Sequence, residues 1–334
     1  MKKAIFVCDQ AQKFRSVFPE QIVAKLREMT DLDETLYSKE DILACPEKFR
    51  SAELLFSTWG MPSFSEAEIR DCFPSLECVF YAAGSVQKFA RSFLASGVKV
   101  FSAWAANGVP VAEYTVAQIV LAGKGFFAHT RLMQKERTKE AKALTKRYPG
   151  NYGENIGLIG CGMIGSMVAE RLKDYELRVL VYDPFLSTEK AKRLNVITVS
   201  LDELFRTCRV ISNHLANNEQ TKGILNYGHF SSMLPYATFL NTGRGAQVVE
   251  DDLVRALRER PDLTAVLDVT FPEPPVPSHP FYSLENCFLT PHVAGSLGNE
   301  VVRMAEYMCE EAHRYLAAEP CLYEVSEKML ETRA

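Results

Sequence analysis

The sequence predicts an α/β protein built from two doubly wound parallel sheets, and three observations carry that expectation. At 334 residues the chain is longer than a single hydrophobic core usually organises. Short, continuous apolar runs alternate with helix-periodic stretches along nearly its whole length. The runs fall into two series, one starting at the N-terminus and one near residue 155. Continuous rather than alternating apolar runs are what strands buried on both faces of a parallel sheet require.

In the first series, residues 4–8, 54–57, 78–81 and 98–101 read as strands, with amphipathic helices at 20–29 and 66–72. In the second, residues 155–159, 178–182, 196–199, 210–214, 238–241, 264–267 and 287–290 read as strands. Apolar residues at 111, 112, 116, 119, 120 and 121 predict a long helix over 110–127 joining the series. The charged stretch 135–147 reads as a solvated surface arm. Residues 301–316 carry an apolar stripe at helical spacing. Pro272, Pro274, Pro275, Pro277 and Pro280 force a stiff loop, since neither a helix interior nor a central strand accepts such a run.

Composition narrows the partners. A net charge of −4 lacks the basic footprint of a nucleic-acid binder. The five apolar residues after Met1-Lys2-Lys3 are too few for a signal-peptide core. No run approaches the roughly 18 apolar residues of a membrane helix, so neither membrane nor nucleic acid is an expected partner. The nine cysteines form no CxxC pair, which argues against a zinc site and for a reducing, cytoplasmic location.

The segment Gly160-Cys161-Gly162-Met163-Ile164-Gly165 is a GxGxxG motif directly behind an apolar strand and before a helical pattern at 166–172. Its first glycine permits a tight turn, the second lets backbone approach a pyrophosphate, and the third lets helix pack on strand. The helix N-terminus then offers unpaired N–H groups to the phosphates. Asp183 ends the next strand, 18 residues after Gly165, where a carboxylate can accept from ribose hydroxyls and repel a 2′-phosphate. The expected cofactor is therefore NAD. Cys161 reads as small apolar filler.

Three later strand ends each carry a polar residue: Arg244 between two glycines, Asp268 with Glu273 behind it in the Pro-rich loop, and His292 after Thr290-Pro291. Ligands of doubly wound sheets bind at the carboxyl ends of strands. A histidine there can exchange a proton near neutral pH, a carboxylate can hold its ring, and an arginine fork can clamp a substrate carboxylate.

With these residues in view, the chain resembles the D-2-hydroxyacid dehydrogenase family along nearly its whole length. The likeness rests on Val111-Ala112-Glu113, the stretch 158–165, Tyr182-Asp183-Pro184, the stretch 241–245, Leu267-Asp268-Val269 and the stretch 290–295. Glu273 lies 29 residues beyond Arg244, and His292 19 beyond Glu273, as in that family. The resemblance implies Arg244, Glu273 and His292 as the catalytic set. It implies cofactor contacts by Gly160, Gly162, Met163, Ile164, Gly165, Asp183, Leu215, Thr242, Asp268 and Gly295, with Asp268 near the nicotinamide amide. It implies a substrate carboxylate held by backbone N–H groups of Gly84, Ser85 and Val86 together with Arg244. It further implies two Rossmann-like domains with an active-site cleft between them, residues 1–107 plus 297–334 binding substrate and 108–296 binding NAD. A homodimer through the cofactor domain and interconversion of a small 2-keto acid with its (D)-2-hydroxy acid follow from the same likeness. An NAD(H)-sensing, protein-binding regulator of the co-repressor kind is the alternative on this fold. The chain departs from the family pattern at Leu215-Ala216-Asn217-Asn218, where a Pro–Thr pair is usual, and at Gln87-Lys88-Phe89 after the substrate loop. Trp59, Trp104 and Asn107 fall where substrate-facing loops are expected.

Overall fold

The computed structural model describes residues 1–332. The chain forms two compact units, one comprising residues 1–107 and the segment from Ser296 onward, the other Gly108–Gly295.

The first unit is built on five parallel strands: β1 (Lys3–Val7), β2 (Asp31–Tyr37), β3 (Leu54–Ser57), β4 (Cys78–Tyr81) and β5 (Lys99–Ser102). Their order is β2-β1-β3-β4-β5, all parallel. Strand register aligns Phe6, Phe56, Phe80 and Phe101 across four strands. Phe80 stacks on Phe56 at 5.0 Å and on Phe101 at 4.9 Å between ring centroids. The helix Val301–Leu316 has the expected bounds and returns to this sheet, where Tyr315 meets the edges of Phe80 and Phe101. Its buried stripe includes one residue the apolar pattern does not announce. Glu311 is 0% exposed, and its carboxylate accepts from Arg314 and from the amides of Leu322 and Tyr323, pinning the chain that follows the helix.

The second unit is built on seven parallel strands: β6 (Asn155–Ile159), β7 (Arg178–Tyr182), β8 (Ile197–Thr198), β9 (Val210–Asn213), β10 (Thr238–Asn241), β11 (Thr264–Leu267) and β12 (Cys287–Leu289). The order is β12-β11-β10-β9-β6-β7-β8, so the direction of winding reverses between β6 and β9. Such a reversal opens a crevice at the strands' carboxyl ends, the usual ligand position in open α/β sheets.

The departures from expectation have local causes. β2 is an edge strand with one neighbour, a charged sequence and a single buried residue, Tyr37, so no apolar run marks it. The long helix spans Trp104–Gly123 rather than 110–127. Pro110 sits inside it, because proline's fixed φ is helical and the loss is one donor and some local packing. The helix stops short because Gly125 adopts φ +67°, and a second helix, Phe126–Gln134, begins there. The charged stretch holds a short helix, Thr138–Leu144, with Ala141 buried and its other residues more exposed.

Phe80→Ala should remove the middle of the phenylalanine ladder and destabilise the first unit by about 3–5 kcal/mol. Urea denaturation followed by tyrosine and tryptophan fluorescence reads this directly; a loss under about 1 kcal/mol would show that the ladder is not what holds the sheet together.

Candidate active site

At the end of β6 the three glycines act differently. Gly160 has φ +89°, and a Cβ there would sit 2.8 Å from the His214 carbonyl oxygen. A Cβ on Gly165 would lie 2.1 Å from the Gly160 carbonyl oxygen, so only glycine lets the helix Met163–Leu172 close on the strand. A Cβ on Gly162 would meet nothing within 4 Å, so this glycine faces open space. The first-turn amides of Met163 and Ile164 are unpaired by helix geometry. The Cys161 carbonyl is held on one side by Ser166 Oγ at 2.9 Å and Lys190 Nζ at 2.7 Å. In a planar trans peptide the next N–H points the opposite way, so these two donors aim the Gly162 amide away from themselves. An open surface with oriented, unpaired amides at a helix N-terminus fits a dinucleotide pyrophosphate. Asp183 accepts from the amides of Cys161 at 2.7 Å and Phe185 at 2.8 Å, and each oxygen retains a further lone pair for a ribose hydroxyl. Burial pushes the Cys161 thiol pKa up, consistent with filler rather than a nucleophile.

At the end of β11, Asp268 is only 2% exposed. One carboxylate oxygen accepts from Thr290 Oγ1 at 2.6 Å and the Val293 amide at 2.8 Å, the other from the Ala294 amide at 2.9 Å. Its backbone carbonyl accepts from the His292 amide at 3.0 Å. Tyr114 adds a hydroxyl contact to Thr290 at 3.2 Å. The Asp268 carboxylate therefore builds the turn that carries His292. His292 adopts φ +56°, a conformation costly for a residue with a Cβ. Its Nδ1 lies 2.6 Å from Glu273 Oε1, while its Nε2 has no protein partner among the described residues. With the carboxylate accepting at Nδ1, Nε2 is the nitrogen left to exchange a proton with a ligand.

Arg244 follows β10. Burial lowers its pKa and the charge of Glu273 raises it, and the guanidinium remains cationic. A Cβ on Gly245 would come within 2.0 Å of the Thr270 carbonyl carbon, so the arginine loop packs directly on the backbone leading to Glu273. Beneath Arg244 lies a buried amide network that the sequence reading did not single out. Asn213 Nδ2 donates to Asn241 Oδ1 at 3.0 Å and to Gln247 Oε1 at 2.5 Å. Asn241 Nδ2 donates to the Arg244 carbonyl, and Gln247 Oε1 accepts from the Arg244 amide. Gln247 Nε2 donates to the carbonyls of Leu215 and Ala216, and the Leu215 amide donates to Asn213 Oδ1. Thr242 lies 3.3 Å, oxygen to oxygen, from Thr115. Gly295 follows the buried Ala294 and is half-buried. Two asparagines at the ends of otherwise apolar strands were the available sequence signal.

In the first unit, Gly84, Ser85 and Val86 follow β4. Their amides have no hydrogen-bond partner among the described residues, while Ser102 Oγ donates to the carbonyls of Ala83 at 2.9 Å and Gly84 at 2.7 Å. The Asn107 side chain flanks this loop and accepts from the Ser296 amide. Trp104 packs edge-on against Tyr323 and leaves its buried indole N–H unpaired. The Trp59 carbonyl accepts from the Cys8 thiol. Among the described residues, no His/Cys/Asp/Glu cluster could hold a metal ion and no helix is long and apolar enough to cross a membrane.

Residues 116–294 match the family model for the D-isomer specific 2-hydroxyacid dehydrogenase, NAD binding domain. The chain belongs to this family. Its second unit is the NAD-binding domain of a 2-hydroxyacid dehydrogenase. Glyoxylate reductase of Korarchaeum cryptofilum is 28% identical over 316 residues, covering 93% of this chain and 92% of that protein. D-3-phosphoglycerate dehydrogenase of Archaeoglobus fulgidus is 33% identical over 218 residues, 64% of this chain, but the match spans only 40% of the archaeal protein. The crystal structure of Rhodotorula graminis D-mandelate dehydrogenase shares the fold with a TM-score of 0.82 at 18% identity, covering 98% of each chain.

Within this NAD-binding domain, His214 backs the phosphate loop. Its imidazole contacts Ser212 Oγ at 2.9 Å through Nε2, and its buried Nδ1 has no partner. Burial pushes its pKa down to about 4 from 6.5. The folded state thus refuses a proton that the unfolded chain accepts below pH 6.5. This stability is present above pH 6.5 and is lost as pH falls toward 4, by at most about 3 kcal/mol. Denaturation midpoints measured from pH 7 to 4 should fall less steeply for His214→Gln than for the wild type; equal slopes would assign the acid sensitivity to other groups.

Proposed function

We propose that this chain is an NAD-dependent oxidoreductase that interconverts a small 2-keto acid and its (D)-2-hydroxy acid. The observation that carries the reading is the 2.6 Å contact between His292 Nδ1 and Glu273 Oε1, on the same domain as the dinucleotide loop. NAD supplies or accepts the hydride at C2 when bound. In the reductive direction His292 Nε2 donates a proton to the C2 oxygen as the carbonyl becomes a hydroxyl, and in the oxidative direction it takes that proton back. Glu273 accepts from Nδ1 and stabilises the imidazolium form of the ring. Arg244 holds the substrate carboxylate and polarises the carbonyl through its planar fork. The unpaired amides of Gly84, Ser85 and Val86 are suited to receive a carboxylate. Asp268 acts on the reaction through the His292 turn. The similarity to a glyoxylate reductase over 93% of this chain supports a small substrate. Homodimerisation through the cofactor domain and a cytoplasmic location belong to the same reading, and light scattering of the purified protein tests the first.

Loss of NADH absorbance against glyoxylate, hydroxypyruvate, phosphohydroxypyruvate, pyruvate, 2-ketoisocaproate and phenylpyruvate tests the reaction. One clear winner is expected, and no turnover with NADH still bound would overturn it. His292→Ala should lower turnover on the order of 100- to 10,000-fold while NADH affinity by fluorescence stays near wild type. Unchanged turnover would remove His292 from the mechanism. Asp183→Ala should narrow the gap between NADH and NADPH affinities, because the repelling carboxylate is gone. An unaltered gap would mean that Asp183 does not face the ribose.

A further inference from the structure

Glu273 projects from a loop, residues 271–279, in which four of the nine positions are proline. Its side chain is 40% exposed, and its one protein partner among the described residues is His292, itself 45% exposed. No other hydrogen bond holds the carboxylate among the described residues, so its position depends on the loop backbone. That backbone is held chiefly by a second Glu–His pair. Glu250 opens the helix Glu250–Glu259, and its Oε1 accepts from the Phe271 amide at 2.8 Å, the first residue of the loop. Its Oε2 lies 3.5 Å from Nε2 of His279, the last residue. Both side chains are only 12% exposed. His279 Nδ1 accepts from the Phe281 amide at 3.2 Å, so in the neutral ring Nε2 carries the proton and turns it toward the Glu250 carboxylate. The His279 ring sits 4.5 Å from that of Phe281, which is 1% exposed and anchored in the core. Minor ties come from Thr270 Oγ1 to the Pro272 carbonyl and from the Tyr282 hydroxyl to the Pro275 carbonyl. A prolyl run supplies few backbone donors, so a loop of this composition depends on side chains to fix its ends. Burial pushes the Glu250 pKa up to about 6, a destabilisation that an apolar residue at this position would avoid.

We propose that Glu250 and His279 are positioning residues that set Glu273 against His292 by clamping both ends of the loop that carries it. The proposal rests on the roles given above to Glu273 and His292. It adds that one buried carboxylate outside the Arg244, Glu273 and His292 set decides whether that pair forms.

The test uses the full chain with Glu250→Ala, Glu250→Gln, His279→Phe and Glu273→Gln. Two quantities are measured: steady-state kinetics with the best 2-keto acid, and the tautomer of His292 by long-range 1H–15N NMR, tractable with six histidines. Glu250→Ala should lower kcat on the order of 10- to 100-fold, as a small misplacement of a catalytic group does, with NADH affinity unchanged. Its His292 signals should move toward those of Glu273→Gln. The double variant Glu250→Ala/Glu273→Gln should be no slower than Glu273→Gln alone, because both changes act on one contact. Wild-type kcat with wild-type His292 signals in Glu250→Ala would overturn the proposal. So would rate losses that multiply in the double variant while the His292 signals stay put. If Glu250→Ala does not fold, Glu250→Gln and His279→Phe decide by the same two measurements. If the wild type reduces no 2-keto acid but the His292 signals shift in Glu250→Ala, the clamp stands and the reaction assignment falls.

Discussion

The Asp268 carboxylate accepts one hydroxyl and two backbone amides from the segment between Thr290 and Ala294, and the position of His292 depends on it. A left-handed conformation at a histidine costs about 1–2 kcal/mol and persists only when its surroundings over-determine it. Three charge-assisted hydrogen bonds in a nearly dry site supply that determination. Without the carboxylate, the two amides would be unpaired and the turn would relax toward ordinary φ values. The imidazole would then leave Glu273. A catalytic ring that is itself largely exposed is thus placed by a group that is almost fully buried.

The same division of labour recurs around the second sheet. Arg244 is carried by a loop whose amide and carbonyl are bonded to Gln247 and Asn241, which with Asn213 form a network closed to water. Gln247 also bonds the carbonyls of Leu215 and Ala216 beside the phosphate loop. One buried side chain therefore couples the loop of the arginine to the loop at the winding reversal. Such networks are stabilising only when every member is satisfied, so their geometry is rigid. In the phosphate loop itself, Ser166 and Lys190 fix one carbonyl and so fix the direction of the next amide. The chemistry is presented by loops, but buried polar contacts aim each one.

Much of this was legible in one dimension. Strands β3, β4, β6, β7, β10 and β11 have the expected bounds, because strands buried on both faces must be continuously apolar. The GxGxxG loop, Asp183, Arg244, Glu273 and His292 could be picked out because each lies at a strand end or in a loop whose composition is itself unusual. β2 was not legible, since an edge strand may be as polar as a surface loop. Glu311, Gln247, Glu250 and His279 were not legible either. A charged or amide residue inside a helical or loop stretch reads as solvated until its burial is known.

The sequence by itself determined the two-series α/β architecture, the dinucleotide loop and the chemical identity of the groups that could move a proton. Those properties follow from local periodicity and from glycine and proline positions, which act over a few residues. Only the tertiary structure decided that Asp268 holds the His292 turn, that Glu273 meets Nδ1 rather than solvent, and that Glu250 reaches both Phe271 and His279. Each of those is a polar contact between residues 19 to 29 positions apart. Contacts of that separation depend on how strands are ordered and loops are packed, which no local pattern of residue types encodes.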